Sequence, residues 1–141
     1  ANQIDIFLEK LEKFTQPLKN KKIALLGLAF KPNTDDCREA PSIKIIQKLL
    51  KMEAKISAYD PIASENVQRE LKDVITYAEN PYEAAKDADA LLIVTEWNEF
   101  KELDLEKIKK LMKTPIIIDG RNIYDPKKIK ELGFVYLGVG R

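Results

Sequence analysis

The sequence contains no histidine and a single cysteine, Cys37. The absence of histidine excludes Ser-His-Asp and Cys-His catalysis, histidine-ligated metal sites and the usual proton shuttle near neutral pH. A single cysteine excludes an internal disulfide and a Cys-x-x-Cys metal or redox pair. We therefore predict neither catalytic residues nor a metal site within this sequence.

Long apolar runs and an excess of one charge are also absent. No run approaches the roughly 20 residues of a membrane-spanning helix, and the first ten residues do not resemble a signal peptide. Lys and Arg total 24 against 23 Asp and Glu, so no net field attracts nucleic acid or an anionic membrane. With 141 residues, 45% of them hydrophobic, the chain corresponds to one domain. We predict a soluble, cytoplasmic globular domain without a nucleic-acid or membrane partner.

The first segment has the periodicity of an amphipathic helix. From Ile4 to Leu18, apolar residues recur at helical spacing among charged ones, and Pro17 ends the pattern. We assign residues 1–20 to this helix and a linker, and residues 21–141 to the main domain. The apolar stripe requires a partner, which is this domain, a second copy or sequence outside the chain.

From Lys21 onward, short apolar strands alternate with helical segments. The predicted strands are Lys21–Gly27, Ala54–Pro61, Val74–Tyr77, Ala90–Val94, Thr114–Gly120 and Phe134–Leu137. The predicted helices begin near Pro41, Ser64, Pro81, Leu103 and Asp125. Parallel strands need crossover connections, and these are right-handed. We therefore predict an α/β fold, a doubly wound, Rossmann-like parallel sheet of about six strands with flanking helices, preceded by one amphipathic helix.

Ligands of an open doubly wound sheet bind beyond the carboxyl ends of its strands. The loop after the first strand lacks the Gly-x-Gly-x-x-Gly pattern that binds a dinucleotide pyrophosphate, since Gly27 is its only glycine. It offers the cations Lys31 and Arg38 instead, and Arg121 follows the fifth strand. Each cation alone is more typical of a solvated surface charge. Together at one sheet edge, they favour a phosphate-bearing ligand.

Four further residues near strand ends have competing interpretations. Asp60 follows the second strand, where it would either bind an adenosine ribose or stabilise a turn. Trp97 would stack on a base or, more typically, pack at a domain edge. Asp119 is predicted to bind loop amides and to orient Arg121. Cys37 is interpreted as an incidental loop thiol, because no histidine is present to activate it and two aspartates precede it.

Four segments together resemble a known family. GLAFKPNTDDCREAPS (27–42), YDP (59–61), ADALLIVTEWNEF (88–100) and DGRN (119–122) are similar, in order and spacing, to the C-terminal domain of the UDP-glucose/GDP-mannose dehydrogenase family. The resemblance runs from about residue 21 to the end of the sequence. TEWNEF is more similar to the UDP-glucose 6-dehydrogenase branch than to the UDP-N-acetylhexosamine branch.

The resemblance implies the UDP-glucose-binding domain of an NAD-dependent enzyme that oxidises the sugar C6 hydroxyl to a carboxylate. Phe30 and Lys31 would contact the UDP-sugar, and Arg121 would reach its nucleotide-phosphate portion. Arg38 would approach the NAD, which the family binds mainly through an N-terminal domain. The first helix would be the tail of a central dimerisation region, with a homodimer as the full-length enzyme. The family's glycine motif and catalytic cysteine segment are not in this sequence, and Cys37 falls at a variable position, so we expect this chain alone to be inactive.

Three alternatives remain open on the sequence. In the first, the chain is a stand-alone regulatory module that senses a nucleotide. In the second, it is the same domain from a UDP-N-acetylhexosamine or GDP-mannose dehydrogenase. In a further alternative, it mainly supports assembly through the apolar stripe of residues 4–14.

Overall fold

The structure is a computed structural model that describes residues 3–29 and 40–139. Its strands β1–β6 are Lys22–Leu26, Lys55–Tyr59, Thr76–Tyr77, Ala90–Ile93, Ile116–Asp119 and Val135–Gly138. Its helices α1–α7 are Gln3–Thr15, Pro41–Lys51, Ser64–Leu71, Pro81–Ala85, Asn98–Lys101, Leu105–Leu111 and Pro126–Glu131. A 3-10 turn, Lys72–Val74, precedes β3.

The six strands form one parallel sheet in the order β3-β2-β1-β4-β5-β6. This is the doubly wound, Rossmann-like topology predicted from the alternating strands and helices. The order reverses between β1 and β4, which pair from Ile23 opposite Ala90 to Leu26 opposite Ile93. Connections leave this point toward opposite halves of the sheet, and the resulting crevice at its carboxyl edge is where such folds bind ligands.

Helices cover both faces of the sheet, so the molecule has two apolar cores. Along β1, Ile23 and Leu25 face the core shared with α1, α2 and α3. Ala24 and Leu26 face the opposite core, shared with α4, α6 and α7. Burial on both faces explains why β1 is a continuous apolar run rather than an alternating one.

Two predicted helices differ from the observed ones. The helix predicted over Leu103–Met112 begins at Leu105, because the carboxylate of Asp104 caps it by accepting the Lys107 N–H at 3.2 Å. A separate helical turn, α5, precedes it at Asn98–Lys101. The first helix ends at Thr15 rather than Leu18, ahead of Pro17. Within the described residues, none of the helices has both the length and the apolar character needed to cross a bilayer.

The apolar stripe of α1 packs on this domain. Phe7, Leu8 and Leu11 are buried in the same core as α2 and β5. Polar contacts fasten the helix as well, since Lys48 Nζ of α2 lies 2.5 Å from the Asp5 carboxylate. Ile6 and Phe14 remain partly exposed. Of the three partners considered from the sequence, this domain is the one that the buried stripe contacts.

We expect Leu11→Ala to lower the free energy of unfolding by about 2–5 kcal/mol, because its side chain is fully buried and truncation leaves a cavity. Phe14→Ala on the same helix is the matched control, because Phe14 is 42% exposed. It should change stability by only about 0.5 kcal/mol. Urea unfolding measures both variants. Equal midpoints would contradict the packing of α1 on the sheet.

Candidate functional site

A cleft of about 320 Å³ opens at the carboxyl edge of the sheet, bounded by α1, α2 and the ends of β4, β5 and β6. Its walls are largely apolar and include Phe7, Ile45, Val94 and Val139. Arg121 is the single charged side chain among the described residues that line it. A wider hollow of about 500 Å³ lies beside the C-terminal part of α1, away from these strand ends. The first cleft is the better candidate, because it lies where doubly wound sheets bind ligands.

Asp119, the last residue of β5, fixes the turn that carries Arg121. Its side chain is fully buried, and Oδ1 accepts the Arg121 backbone N–H at 3.0 Å. Oδ2 accepts the N–H groups of Ile123 at 2.8 Å and Tyr124 at 3.2 Å, and the Tyr136 hydroxyl at 2.6 Å. The prediction that Asp119 binds loop amides is confirmed. Asp119 at the end of β5 therefore fixes the position of the Arg121 backbone.

Gly120 allows this turn to pack directly against neighbouring elements. Its N–H donates to the Ile93 carbonyl at 2.9 Å. A Cβ at this position would lie 2.9 Å from a Phe7 ring carbon and 3.0 Å from the Ile93 oxygen. Any larger residue would push the turn away from β4. The glycine thus keeps Arg121 close to the ends of two adjacent strands.

The Arg121 guanidinium contacts the carboxylate of Glu96. Both Nε and Nη2 lie 2.5 Å from Glu96 Oε2. The pair is partly solvated, with the Arg121 side chain 40% exposed and that of Glu96 28% exposed. The sheet register explains why the two residues meet: Ile93 of β4 pairs with Asp119 of β5, and the ion pair forms two or three residues beyond each. The sequence analysis assigned no role to Glu96, which lies in the TEWNEF segment.

The first residues after β1 are also held in place. Gly27 has a φ of 102°, and a Cβ there would lie 2.5 Å from Thr95, so only glycine is accommodated. The Leu28 carbonyl accepts the Ser42 hydroxyl, and the Ala29 carbonyl accepts the Thr95 hydroxyl, both at 2.8 Å. Residues 27–29 are therefore held in a fixed position beside the switch point.

Asp60 is buried and has five hydrogen-bond donors around its carboxylate. Oδ2 accepts the N–H groups of Leu28 and Ala29 at 2.7 and 3.1 Å. Oδ1 accepts those of Ile62 and Ala63 at 2.9 and 2.7 Å. The Trp97 indole N–H donates to Oδ2 at 3.0 Å. A carboxylate offers about four lone-pair sites, so none is left for a ribose hydroxyl.

Of the two interpretations considered for Asp60, the structure supports the turn and contradicts ribose binding. The carboxylate joins the end of β2, the start of the β1–α2 loop and the segment after β4. Trp97 is buried and packs within the second core, which agrees with the packing interpretation rather than with base stacking.

Two tyrosines fasten α5 near this edge. Burial, followed by the hydrogen bond to Glu99 and its charge, raises the pKa of the Tyr59 hydroxyl, which donates to Glu99 at 2.8 Å. Burial, followed by the charge of Asp119, raises the pKa of Tyr124, whose hydroxyl donates to the Phe100 carbonyl. Both hydroxyls therefore stay protonated through the physiological range and remain donors.

The candidate residues Phe30, Lys31 and Arg38, like Cys37, lie outside the described residues. Of the predicted site residues, the structure thus places Arg121. Among residues 3–29 and 40–139, no group of three or more Cys, Asp or Glu side chains is arranged to hold a metal ion.

Sheet order, cleft position and the turn held by Asp119 after β5 define a Rossmann-like domain with a candidate ligand cleft at the carboxyl edge. Residues 24–126 match the UDP binding domain of the UDP-glucose/GDP-mannose dehydrogenase family. The chain belongs to this family, as the resemblance of its four segments predicted.

Individual relatives agree with this assignment. The chain is 42% identical, over its whole length, to 32% of the UDP-glucose 6-dehydrogenase of Pseudomonas aeruginosa. Over 88% of its length, it is 48% identical to 28% of the Rhizobium meliloti enzyme of the same name. A solved UDP-glucose dehydrogenase from Pyrobaculum islandicum superposes with a TM-score of 0.82 at 31% identity, covering 97% of this chain and 29% of that one. The chain therefore spans about a third or less of these relatives.

Proposed function

We propose that this chain is the UDP-glucose-binding part of an NAD-dependent UDP-glucose 6-dehydrogenase, a cytoplasmic oxidoreductase that converts the sugar C6 hydroxyl to the carboxylate of UDP-glucuronate. The observation that carries the proposal is Arg121, a cation on a cleft at the carboxyl edge whose other described lining residues are apolar. Identity of 42% and 48% to UDP-glucose 6-dehydrogenases supports the choice of substrate.

The described lining of the cleft supports binding of a nucleoside diphosphate. Its volume of about 320 Å³ falls in the range of small-molecule pockets, roughly 300–1,000 Å³. Arg121 presents a planar guanidinium suited to phosphate oxygens, while the apolar walls suit the less polar parts of the ligand. In the proposal, Phe30 and Lys31 complete the site from the β1–α2 loop, with Lys31 as a second cation.

The described residues do not form a dinucleotide site of the usual Rossmann kind. The turn after β1 has Gly27 alone, and Asp60, at the position that would bind an adenosine ribose, has no acceptor site left. NAD is therefore proposed to bind mainly to a separate domain, with Arg38 of this chain facing it. Hydride transfer then needs that domain, and the isolated chain is expected to be inactive.

The assembled enzyme is proposed to be a homodimer. In that arrangement, α1 is the tail of a central dimerisation region, and its exposed residues Ile6 and Phe14 are available to elements beyond this chain.

Calorimetric titration of the 141-residue chain with UDP, GDP and NAD tests the proposal. We expect saturable binding of UDP, weaker binding of GDP and none of NAD. Binding of NAD without UDP would contradict the assignment and favour a cofactor module. GDP binding tighter than UDP binding would favour the GDP-mannose branch of the family. Absence of binding by all three would contradict a nucleotide site formed by this chain's own residues.

A further inference from the structure

We propose that Glu96 is a positioning residue that holds the Arg121 guanidinium in the orientation in which it binds a ligand phosphate. This inference rests on the proposed function, because it takes a phosphate-bearing ligand as the occupant of the cleft. It assigns a role to a residue that touches Arg121 rather than the ligand.

The contact leaves the distal end of the guanidinium available for an anion. An arginine side chain has five N–H donors, and Glu96 Oε2 contacts Nε and Nη2 from one side. The two N–H groups of Nη1 are not part of this contact. Arg121 lines the cleft, whereas Glu96 does not. Glu96 therefore contacts the cation without lining the cleft, so it does not occupy the place of an anion there.

The backbone around Glu96 is fixed on both sides, as a positioning role requires. The preceding residue, Thr95, is buried and donates its hydroxyl to the Ala29 carbonyl at 2.8 Å. The following residue, Trp97, is buried and donates its indole N–H to Asp60 at 3.0 Å. A carboxylate on this fixed segment restricts an arginine side chain that otherwise loses considerable rotamer entropy when it binds.

Replacing Glu96 by glutamine removes a negative charge as well as the positioning contact. These two changes have opposite effects on the affinity for an anion. Neutralising an acidic residue near an anion site reduces repulsion and strengthens anion binding. Loss of positioning weakens binding instead. A decrease in affinity on Glu96→Gln therefore cannot come from the change in charge. Glu99→Gln is the matched control, because it removes the same charge three residues away. Glu99 accepts a hydrogen bond from the Tyr59 hydroxyl rather than contacting Arg121.

The first measurement is the nuclear magnetic resonance spectrum of the arginine Nε–H groups. The chain has only four arginines, so at most four signals occur, and Arg121→Lys identifies the relevant one. In the wild-type chain, we expect the Arg121 signal to be displaced and slow to exchange with water. In Glu96→Gln it should move toward the other signals and exchange faster, while Glu99→Gln should leave it unchanged. An unchanged signal in Glu96→Gln would overturn the proposal without any ligand being added.

The second measurement is UDP affinity in the same variants. Because part of the arginine's rotamer entropy must then be lost on binding, Glu96→Gln should raise the dissociation constant roughly three- to tenfold relative to Glu99→Gln. Equal or tighter binding would overturn the positioning role. If the wild-type chain binds no UDP, the proposed function fails, while the Nε–H spectrum still decides the role of Glu96. Unchanged thermal unfolding of both variants excludes a general loss of structure.

Discussion

Arg121→Ala is expected to weaken UDP binding by roughly ten- to hundredfold. A hydrogen bond to a charged group contributes about 1.5–3 kcal/mol, and 1.4 kcal/mol corresponds to a factor of ten in affinity. Arg121 is the single charged side chain among the described residues of the cleft, so no described neighbour replaces it. Calorimetric titration of the wild type and the variant with UDP measures the loss directly.

Arg69→Ala is the matched control for this change. Arg69 is an exposed residue of α3, and its Nη2 lies 3.9 Å from Glu65 Oε2. Its replacement by alanine changes the net charge by the same amount. UDP affinity should stay at the wild-type value. The UDP affinity of Arg121→Lys should lie between those of the wild type and Arg121→Ala, because lysine keeps the charge but lacks the planar guanidinium. Unchanged affinity in Arg121→Ala would remove Arg121 from the site.

Asp60→Ala is expected to lower the free energy of unfolding by about 3–5 kcal/mol, comparable to breaking a buried charge network. The substitution leaves four backbone N–H groups and the Trp97 indole N–H without their acceptor, and all of these contacts are buried except that of the Ile62 N–H, which is part-buried. Each buried donor without a partner costs about 1–3 kcal/mol, although relaxation and water entry keep the sum below five such penalties. Since domains of this size unfold with about 5–15 kcal/mol, the variant should be barely stable.

Urea unfolding followed by fluorescence measures this effect, because Trp97 is the only tryptophan in the chain and bonds directly to Asp60. Asp104→Ala is the control, since Asp104 is an exposed carboxylate that caps α6. Its loss should cost about 1 kcal/mol, the usual value for a helix cap. A similar cost for both substitutions would show that Asp60 is an ordinary turn residue, open to water.

The arrangement of strands was predictable because it follows from burial on both faces. In β4, every residue from Ala90 to Ile93 is buried, which gives the continuous apolar run that identified the strand. The doubly wound topology was predicted from the right-handedness of crossovers rather than from any single residue. Helix α5 was not predicted. It is a single turn with one buried residue, Phe100, and one residue cannot show a helical period.

The candidate site was predictable only in part. Position after a strand was enough to select Arg121 and to anticipate the amide contacts of Asp119. The same rule gave two interpretations of Asp60, because burial and hydrogen-bond saturation depend on Leu28, Ala63 and Trp97, which come together only in the folded sheet. Glu96 lies beyond β4 as Arg121 lies beyond β5. Two opposite charges just beyond the ends of neighbouring strands were the signal that could have identified this pair.

The position of β1 beside β4 has a consequence for how the chain folds. Ile23 pairs with Ala90, so the central pair of the sheet joins segments that are far apart in the sequence, whereas β1 and β2 are separated by a single helix. Contacts of long sequence separation form late, because loop closure must precede them. During synthesis, at about 5–20 residues per second, β4 follows β1 by several seconds, and until then the backbone N–H and C=O groups along one edge of β1 are unpaired. In that interval the unpaired strand edge of the nascent chain can pair with another chain and aggregate, and pairing with β4 then covers this edge.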